Sequence, residues 1–367
     1  MRSIFRLSFR TDTLACRRRT TTSKRAKFAE WVERAGLLGF LEYLAKKPAI
    51  YILTHHRIGH PSASDFDHGV FTATAEQFDH QVALLKDRYP ILSLNEMQYY
   101  VDHPERLSKF SLMLTFDDGC VDNFDEAFPI LKAHGVTATF FLPTALIGTH
   151  QVPWWDQIAF LVRRSSVETI ALDYPKPAHL SLRQPDRAIR RLLRLYQSTE
   201  TVDAQRFIQN LELATRVELR SMPASRVFMN WEEVKQMSDQ GMDIASHTHS
   251  HPLLSKLSLA QQSEELGRSK QEIRDRLGIE TTALAYPVGR PECFNADTYK
   301  AMERTGYKTA FSLYGGLNIP GHFEPHNLRR VEPSPDVPLM RLQTALAGTF
   351  GGRLLEGKDD LSEWAPT

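Results

Sequence analysis

The sequence predicts an α/β fold, either a parallel sheet or an α/β barrel, on three observations. Short apolar, β-branched runs alternate with amphipathic helical patterns along most of the chain. Several of those runs end abruptly in Asp or His clusters. The composition, 42% hydrophobic and 24% charged over 367 residues, suits one large domain or two smaller ones.

Residues 1–27 read as a disordered leader: the first 25 residues hold seven Arg and one Lys against a single acid, and Ile4-Phe5-Arg6-Leu7 is too broken for an export signal. Such an Arg- and Ser/Thr-rich start also resembles an organelle transit peptide. Residues 28–48 predict one amphipathic helix, with Trp31, Ala35, Leu38, Leu41 and Leu44 on its apolar face and Pro48 as its stop. Ala49 to Thr54 is a strand ending in His55-His56-Arg57. Thr74 caps a helix from Ala75 to Arg88, and Ile91 to Leu94 reads as a short strand.

Ser111 to Phe116 is an apolar strand that delivers Asp117 and Asp118 into Gly119. A helix from Phe124 to His134 comes next, with Pro129 either kinking it or lying in its first turn, and Gly135 closes it. Val136 to Leu142 is the next strand. Residues 165–225 turn helical and charged and read as an insertion, whose Arg187, Arg190, Arg191 and Arg194 form a solvated face rather than an anion grip. Asn230 with Glu233 predicts a capping box for Trp231 to Gln240, and Gly241 ends that helix. Strands at 242–246, 282–286 and 309–313 alternate with helices capped by Ser258 and Asn295. Together, residues 49–335 make the main α/β domain, and 336–367 a tail with one last helix near Leu339 to Leu346.

Charge and cysteine content exclude some classes. Lys+Arg 45 against Asp+Glu 44 gives a net charge of +1, so no global field draws in nucleic acid or an anionic membrane, and any charge effect is local. No membrane span is visible. Cys16, Cys120 and Cys293 cannot all pair, which argues against a disulfide scaffold and for a reducing, cytoplasmic setting.

The chemistry gathers at two strand ends. Adjacent acids at the mouth of a buried strand repel and lose solvation, so they call for a metal or an Arg between them; a plain polar turn is the simpler alternative. His247, His249 and His251 fall within five residues directly after a strand. Two of the three can converge on one ion, and a helical turn would bring His247 and His251 together. An Asp with two His leaves a divalent ion open positions for water and substrate, and the second Asp is then free to act as general base. Zinc suits this set, and Co, Ni or Fe would also be accepted.

These motifs resemble those of the polysaccharide deacetylase (NodB-homology) family, carbohydrate esterase family four. Thr115-Phe116-Asp117-Asp118-Gly119 is similar to its first motif, His247-Thr248-His249-Ser250-His251 to its metal motif, and Tyr286-Pro287-Val288-Gly289 to a variant of its third. The resemblance spans about Ile50 to Val331. It implies a distorted (β/α) barrel with Asp117 as base, Asp118, His247 and His251 as metal ligands, and the Tyr286 backbone N–H in the oxyanion hole. The C-terminal Leu-x-His that often supplies the acid is missing: the region reads His326-Asn-Leu-Arg-Arg330-Val331. Instead, Leu53-Thr54-His55-His56 resembles the first strand of the circularly permuted branch, which includes poly-N-acetylglucosamine deacetylases. That maps the acid to His56, and Arg330 to an Arg that orients Asp117.

Cys120 stands where the family often has Tyr. Trp154 and Trp155 could form a sugar-stacking platform, though large aromatics are buried on average. The implied function is hydrolysis of N-acetyl groups on an N-acetylhexosamine polymer or glycolipid. The alternatives are a barrel hydrolase acting on a non-sugar C–N bond and a silent carbohydrate-binding module.

Overall fold

Seven strands, β1 (Ala49–His55), β2 (Phe110–Phe116), β3 (Thr139–Leu142), β4 (Asp243–Ser246), β5 (Ala283–Ala285), β6 (Thr309–Leu313) and β7 (Leu328–Val331), pair in parallel and in chain order. β7 returns to β1, and the barrel closes. The computed structural model describes residues 24–44, 47–198, 203–222 and 226–350. The strands are buried on both faces, which is why they read as unbroken apolar runs. Their pleat still sorts the side chains: Ile50, Ile52, Met113, Phe141, Phe311 and Leu328 form one core inside the barrel. Tyr51, Leu53, Leu112, Leu114 and Phe116 face the surrounding helices.

Those helices are α1 (Lys24–Arg34), α2 (Leu37–Leu44), α3 (Ala75–Lys86), α4 (Leu94–Asp102), α5 (Phe128–His134), α6 (Trp154–Arg164), α7 (Pro185–Ser198), α8 (Ala204–Thr215), α9 (Trp231–Asp239), α10 (Leu259–Leu277), α11 (Ala296–Thr305) and α12 (Val337–Phe350). Capping residues start them where the sequence places them: Thr74 with Gln77, Asn230 with Glu233, and Ser258 with Gln261 form reciprocal capping boxes. Gly135, Gly278 and Gly306 end α5, α10 and α11 in the left-handed region. Pro129 lies in the first turn of α5, after a π-helical stretch from Asn123 to Ala127, so the helix is not kinked there.

Three expectations are corrected. The single N-terminal helix over 28–48 is two helices, broken at Gly36 with φ +73°, and it begins at Lys24, inside the expected leader. Its buried face carries Ala29, Val32 and Leu38, while Trp31 and Leu44 are exposed. Ile91 to Leu94 is not a strand: Ile91 makes one bridge to Leu112, and Ser93 instead caps α4. The last helix expected near Leu339 to Leu346 is present as α12, and it covers α1 and α2 through Leu342 and Ala345. Residues 1–23 and 351–367 lie outside the described residues.

The third correction concerns the insertion. It is not only helical, because Thr169–Leu172 and Ala178–Ser181 pair as an antiparallel hairpin. Phe160, Ile170, Leu180, Ile189, Phe207 and Leu211 give it a small core of its own. Arg187, Arg190 and Arg191 are exposed on α7, as a solvated face requires.

The turn after β2 has no room for a side chain at its glycine. Gly119 has φ +63°, and a Cβ there would fall 2.8 Å from both Ile147 Cδ1 and Leu142 Cδ2. Gly119→Ala should therefore lower the unfolding free energy by about 2–4 kcal/mol in a urea titration. A loss below about 0.5 kcal/mol would show that the turn tolerates the extra methyl.

Candidate metal centre

Alternation along β2 places Met113 and then Thr115 inside the barrel, and Asp117 continues that series. Its N–H still joins the ladder, donating to the His55 carbonyl at 3.0 Å. The inward series on β7 runs Leu328 to Arg330, so the two side chains meet. Arg330 Nη1 and Nη2 donate to Asp117 Oδ1 and Oδ2 at 2.7 and 2.8 Å, a bidentate fork with no solvent exposure at the arginine. Arg330 Nε donates to the Ser312 carbonyl at 3.1 Å, which fixes the guanidinium plane. Burial pushes the Asp117 carboxyl up, but the Arg330 guanidinium outweighs it and holds it below the usual carboxylate range.

Asp118 breaks from the strand at φ +70°, so its carboxylate leaves the Arg330 fork and turns towards the histidine loop. That loop is no helical turn. Thr248 and His251 take φ +67° and +60°, and these two left-handed residues fold His251 back beside His247, the rings 4.8 Å apart. Three non-glycine residues in that region at one site mark stored backbone strain. His249 points away, its Nδ1 on Thr144 Oγ1 at 2.9 Å.

Asp118, His247 and His251 converge. His251 Nε2 lies 3.3 Å and His247 Nε2 3.6 Å from Asp118 Oδ1, and one ligand atom from each residue lies within 4.8 Å of the others. These spacings exceed an ordinary N–H···O hydrogen bond. Ligand atoms about 2.1 Å from one cation in tetrahedral directions lie roughly 3.4 Å apart, which is the spacing found. Asp118 Oδ1 and His251 Nδ1 are buried without a hydrogen-bond partner. His247 Nδ1 lies 2.8 Å from the Ala285 carbonyl, which can only accept, so Nδ1 carries the proton and Nε2 keeps its lone pair for the cluster. Burial lowers His247 to about 4 despite the neighbouring acids, so it is a neutral ligand near pH 7. Burial also pushes Asp118 up, but contact with His251 outweighs it and holds it well below the ordinary carboxylate value. These residues fit a divalent cation.

The other site candidates divide. His56 comes after β1 at the rim, near enough for its charge to act on both Asp117 and Asp118. Its Nδ1 lies 3.8 Å from Glu332 Oε1, a partner that sequence reasoning missed. His55 is buried against Phe78 and Phe116 and faces away from the site.

Tyr286 corrects an expectation. Its backbone N–H donates to the Phe311 carbonyl at 3.0 Å as part of the barrel ladder, so it is not free to serve an oxyanion. Its hydroxyl donates to the His326 carbonyl at 2.8 Å, and its ring stacks on Phe294. The tryptophans form no open platform: Trp155 is buried, 4.6 Å from the His251 ring, and Trp154 stacks on Tyr196 at 4.3 Å.

Sequence reasoning also missed a buried ionic node. Arg57 Nε donates to Asp122 Oδ2 at 3.1 Å and Arg57 Nη1 lies 3.5 Å from Asp156 Oδ2, tying the end of β1 to the turn after β2 and to α6. Burial raises Asp156 to about 7 against the pull of Arg57. The only sequence signal was position, since Arg57 and Asp122 each lie just past a strand end. Cys120 is a free, buried thiol in the same turn, pushed up by burial.

The family model for polysaccharide deacetylase matches residues 105–310, which is more than half of the chain and carries Asp117, Asp118, His247, His251 and Tyr286. The chain belongs to the polysaccharide deacetylase family. As a polysaccharide deacetylase it is a hydrolase acting on carbon–nitrogen bonds other than peptide bonds. YxkH of Bacillus subtilis (strain 168), named as a polysaccharide deacetylase, is 25% identical over 273 residues, covering 74% of this chain and 67% of that protein. Two solved structures share the fold. The Streptococcus pyogenes deacetylase PplD, solved with acetate, is 23% identical with a TM-score of 0.54 over 81% of this chain and 98% of that one. IcaB from Ammonifex degensii is 17% identical with a TM-score of 0.54 over 83% and 98%. The NodB-type barrel and the family four membership expected from the motifs are thereby shown.

Arg330→Leu removes one partner of a fully buried pair. It should cost about 3–5 kcal/mol in denaturant unfolding, with much of that recovered in the double variant Arg330→Leu/Asp117→Asn. Additive losses in that double-mutant cycle would mean that the pair does not interact.

Proposed function

We propose that this polysaccharide deacetylase hydrolyses N-acetyl groups of an N-acetylhexosamine-containing polysaccharide or glycolipid, with a divalent metal, zinc for preference, held by Asp118, His247 and His251. The observation that carries the reading is the division of labour between adjacent acids: Asp118 faces the imidazoles of His247 and His251, and Asp117, gripped by Arg330, stays out of that set. A bound divalent ion would supply a water of lowered pKa and polarise the acyl carbonyl.

The chain's own groups do the rest. Arg330 keeps Asp117 ionised despite its burial and holds its carboxylate plane, so an acceptor is ready for the proton of the attacking water. Asp117 Oδ2 lies 3.9 Å from His247 Nε2, which puts that acceptor beside the cluster rather than within it. His56, on the rim beside Glu332, is the proposed donor of a proton to the departing amine nitrogen.

Acetate release from chitooligosaccharides tests the reading. Chelation should abolish it, and added Zn, Co or Ni should restore it. Asp117→Asn should lower turnover by about two to four orders of magnitude with bound metal kept. Turnover of a simple non-sugar amide in place of every N-acetylated saccharide would assign the site to another substrate. His56→Ala should lower turnover by about two orders of magnitude with metal content unchanged. Metal loss from that variant would make His56 a ligand and contradict its role as acid.

A further inference from the structure

We infer that the outward face of α1 and α2 is a docking surface for an anionic lipid bilayer. Phe28, Trp31, Leu37, Phe40 and Leu44 are 57%, 58%, 46%, 60% and 42% exposed on these two short helices. Phe28 and Trp31 stack on each other with ring centroids 6.0 Å apart. Beyond these helices, the large apolar side chains left exposed among the described residues are Tyr99, Leu213, Tyr299 and Ile319, each from a different element or loop. Scattered single residues of that kind are ordinary, whereas a continuous stretch is not. Packing within the fold does not account for these exposed side chains, because the residues the two helices bury against Leu342 and Ala345 of α12 are others, Ala29, Val32 and Leu38.

Charge selects the occupant. The acids of these helices are engaged: Glu33 and Glu42 turn inward to Arg341, Glu42 is also 3.3 Å from Arg88, and Glu30 pairs with Arg34. Lys24, Arg25, Lys27 and Lys47 are exposed and carry no ion pair among the described residues. The cationic bias continues upstream in sequence, where the first 25 residues hold seven Arg and one Lys against one acid. A chain of net charge +1 thus carries, among its described residues, unpaired cations beside the exposed apolar and aromatic side chains of α1 and α2. Aromatic and Leu side chains rimmed by Lys and Arg suit the boundary between acyl chains and anionic headgroups. A second copy would bring the same cations and repel them. No helix among the described residues is long and apolar enough to cross a membrane, so the mode is lying on the bilayer rather than spanning it.

The placement leaves the catalytic end free. α2 leads into the start of β1, whereas Asp117 and Asp118 lie past the end of β2, paired alongside it; a seven-residue strand, roughly 23 Å long, separates the two ends. The docked enzyme therefore holds its mouth away from the lipid.

Sedimentation of the full chain with phosphatidylcholine vesicles, with and without phosphatidylglycerol, tests this. Phosphatidylglycerol should tighten binding about tenfold or more, and added salt should weaken it. The combined variant Phe28→Ser/Trp31→Ser/Phe40→Ser should lose about tenfold or more in binding, with acetate release from soluble chitooligosaccharides unchanged. Lys24→Glu/Arg25→Glu/Lys27→Glu should remove the phosphatidylglycerol preference. Asp117→Asn should bind vesicles like the natural chain, so this proposal and the catalytic reading fail separately. Equal binding to both vesicles would overturn the proposal, as would an unchanged triple-serine variant. So would lipid-free self-association, or polysaccharide binding, that the triple-serine variant abolishes.

Discussion

Two adjacent carboxylates stand almost fully buried at the mouth of this barrel, and each does so because positive or ligating groups meet it: Arg330 forks onto Asp117, and His247 and His251 converge on Asp118. Neither acid would remain ionised in that volume alone. The pleat brings Thr115, Asp117 and Arg330 into one interior layer, with Arg330 Nη1 also 3.4 Å from Thr115 Oγ1. A left-handed Asp118 then turns the second acid out of that layer. The site is thus a consequence of strand alternation up to residue 117 and of one backbone reversal after it.

That reversal is costly, and the surroundings enforce it. Asp118, Thr248 and His251 each hold a conformation that a side-chain-bearing residue avoids. Hydrogen bonds pin the histidine loop: the His249 and Ser250 N–H groups donate to Glu265 of α10, and the His251 N–H donates to Thr248 Oγ1. The Ala285 carbonyl sets the tautomer of His247 from the next strand. Strain at the ligands is therefore supported by barrel strands and a long helix, which keeps the donor set preorganised.

Much of this was legible because its causes are local. Capping boxes at Thr74, Asn230 and Ser258, terminal glycines at 135, 278 and 306, and Asp and His clusters at strand ends all act within a few residues. The metal triad and the Arg330–Asp117 pair came from motif resemblance, and the structure brings those side chains together. What was not legible depends on distant partners. The Tyr286 N–H is taken by Phe311, a residue whose register cannot be read from the motif. The Arg57–Asp122–Asp156 node unites three elements, and the 169–181 hairpin sits in a stretch whose charge pattern reads as helix. Gly36 breaks a helix whose apolar spacing suggested continuity, and of the face expected to pack, Trp31 and Leu44 turned outward while Leu38 stayed buried.

The account rests on one divalent ion shared by three side chains, and elemental analysis of the purified protein and its ligand variants tests it most directly. About one equivalent of metal per chain should copurify or titrate in. It should be lost from folded Asp118→Ala, His247→Ala and His251→Ala variants and kept in Asp117→Asn. A chain that releases acetate yet binds no divalent metal, or that holds its metal after Asp118→Ala, would contradict the account.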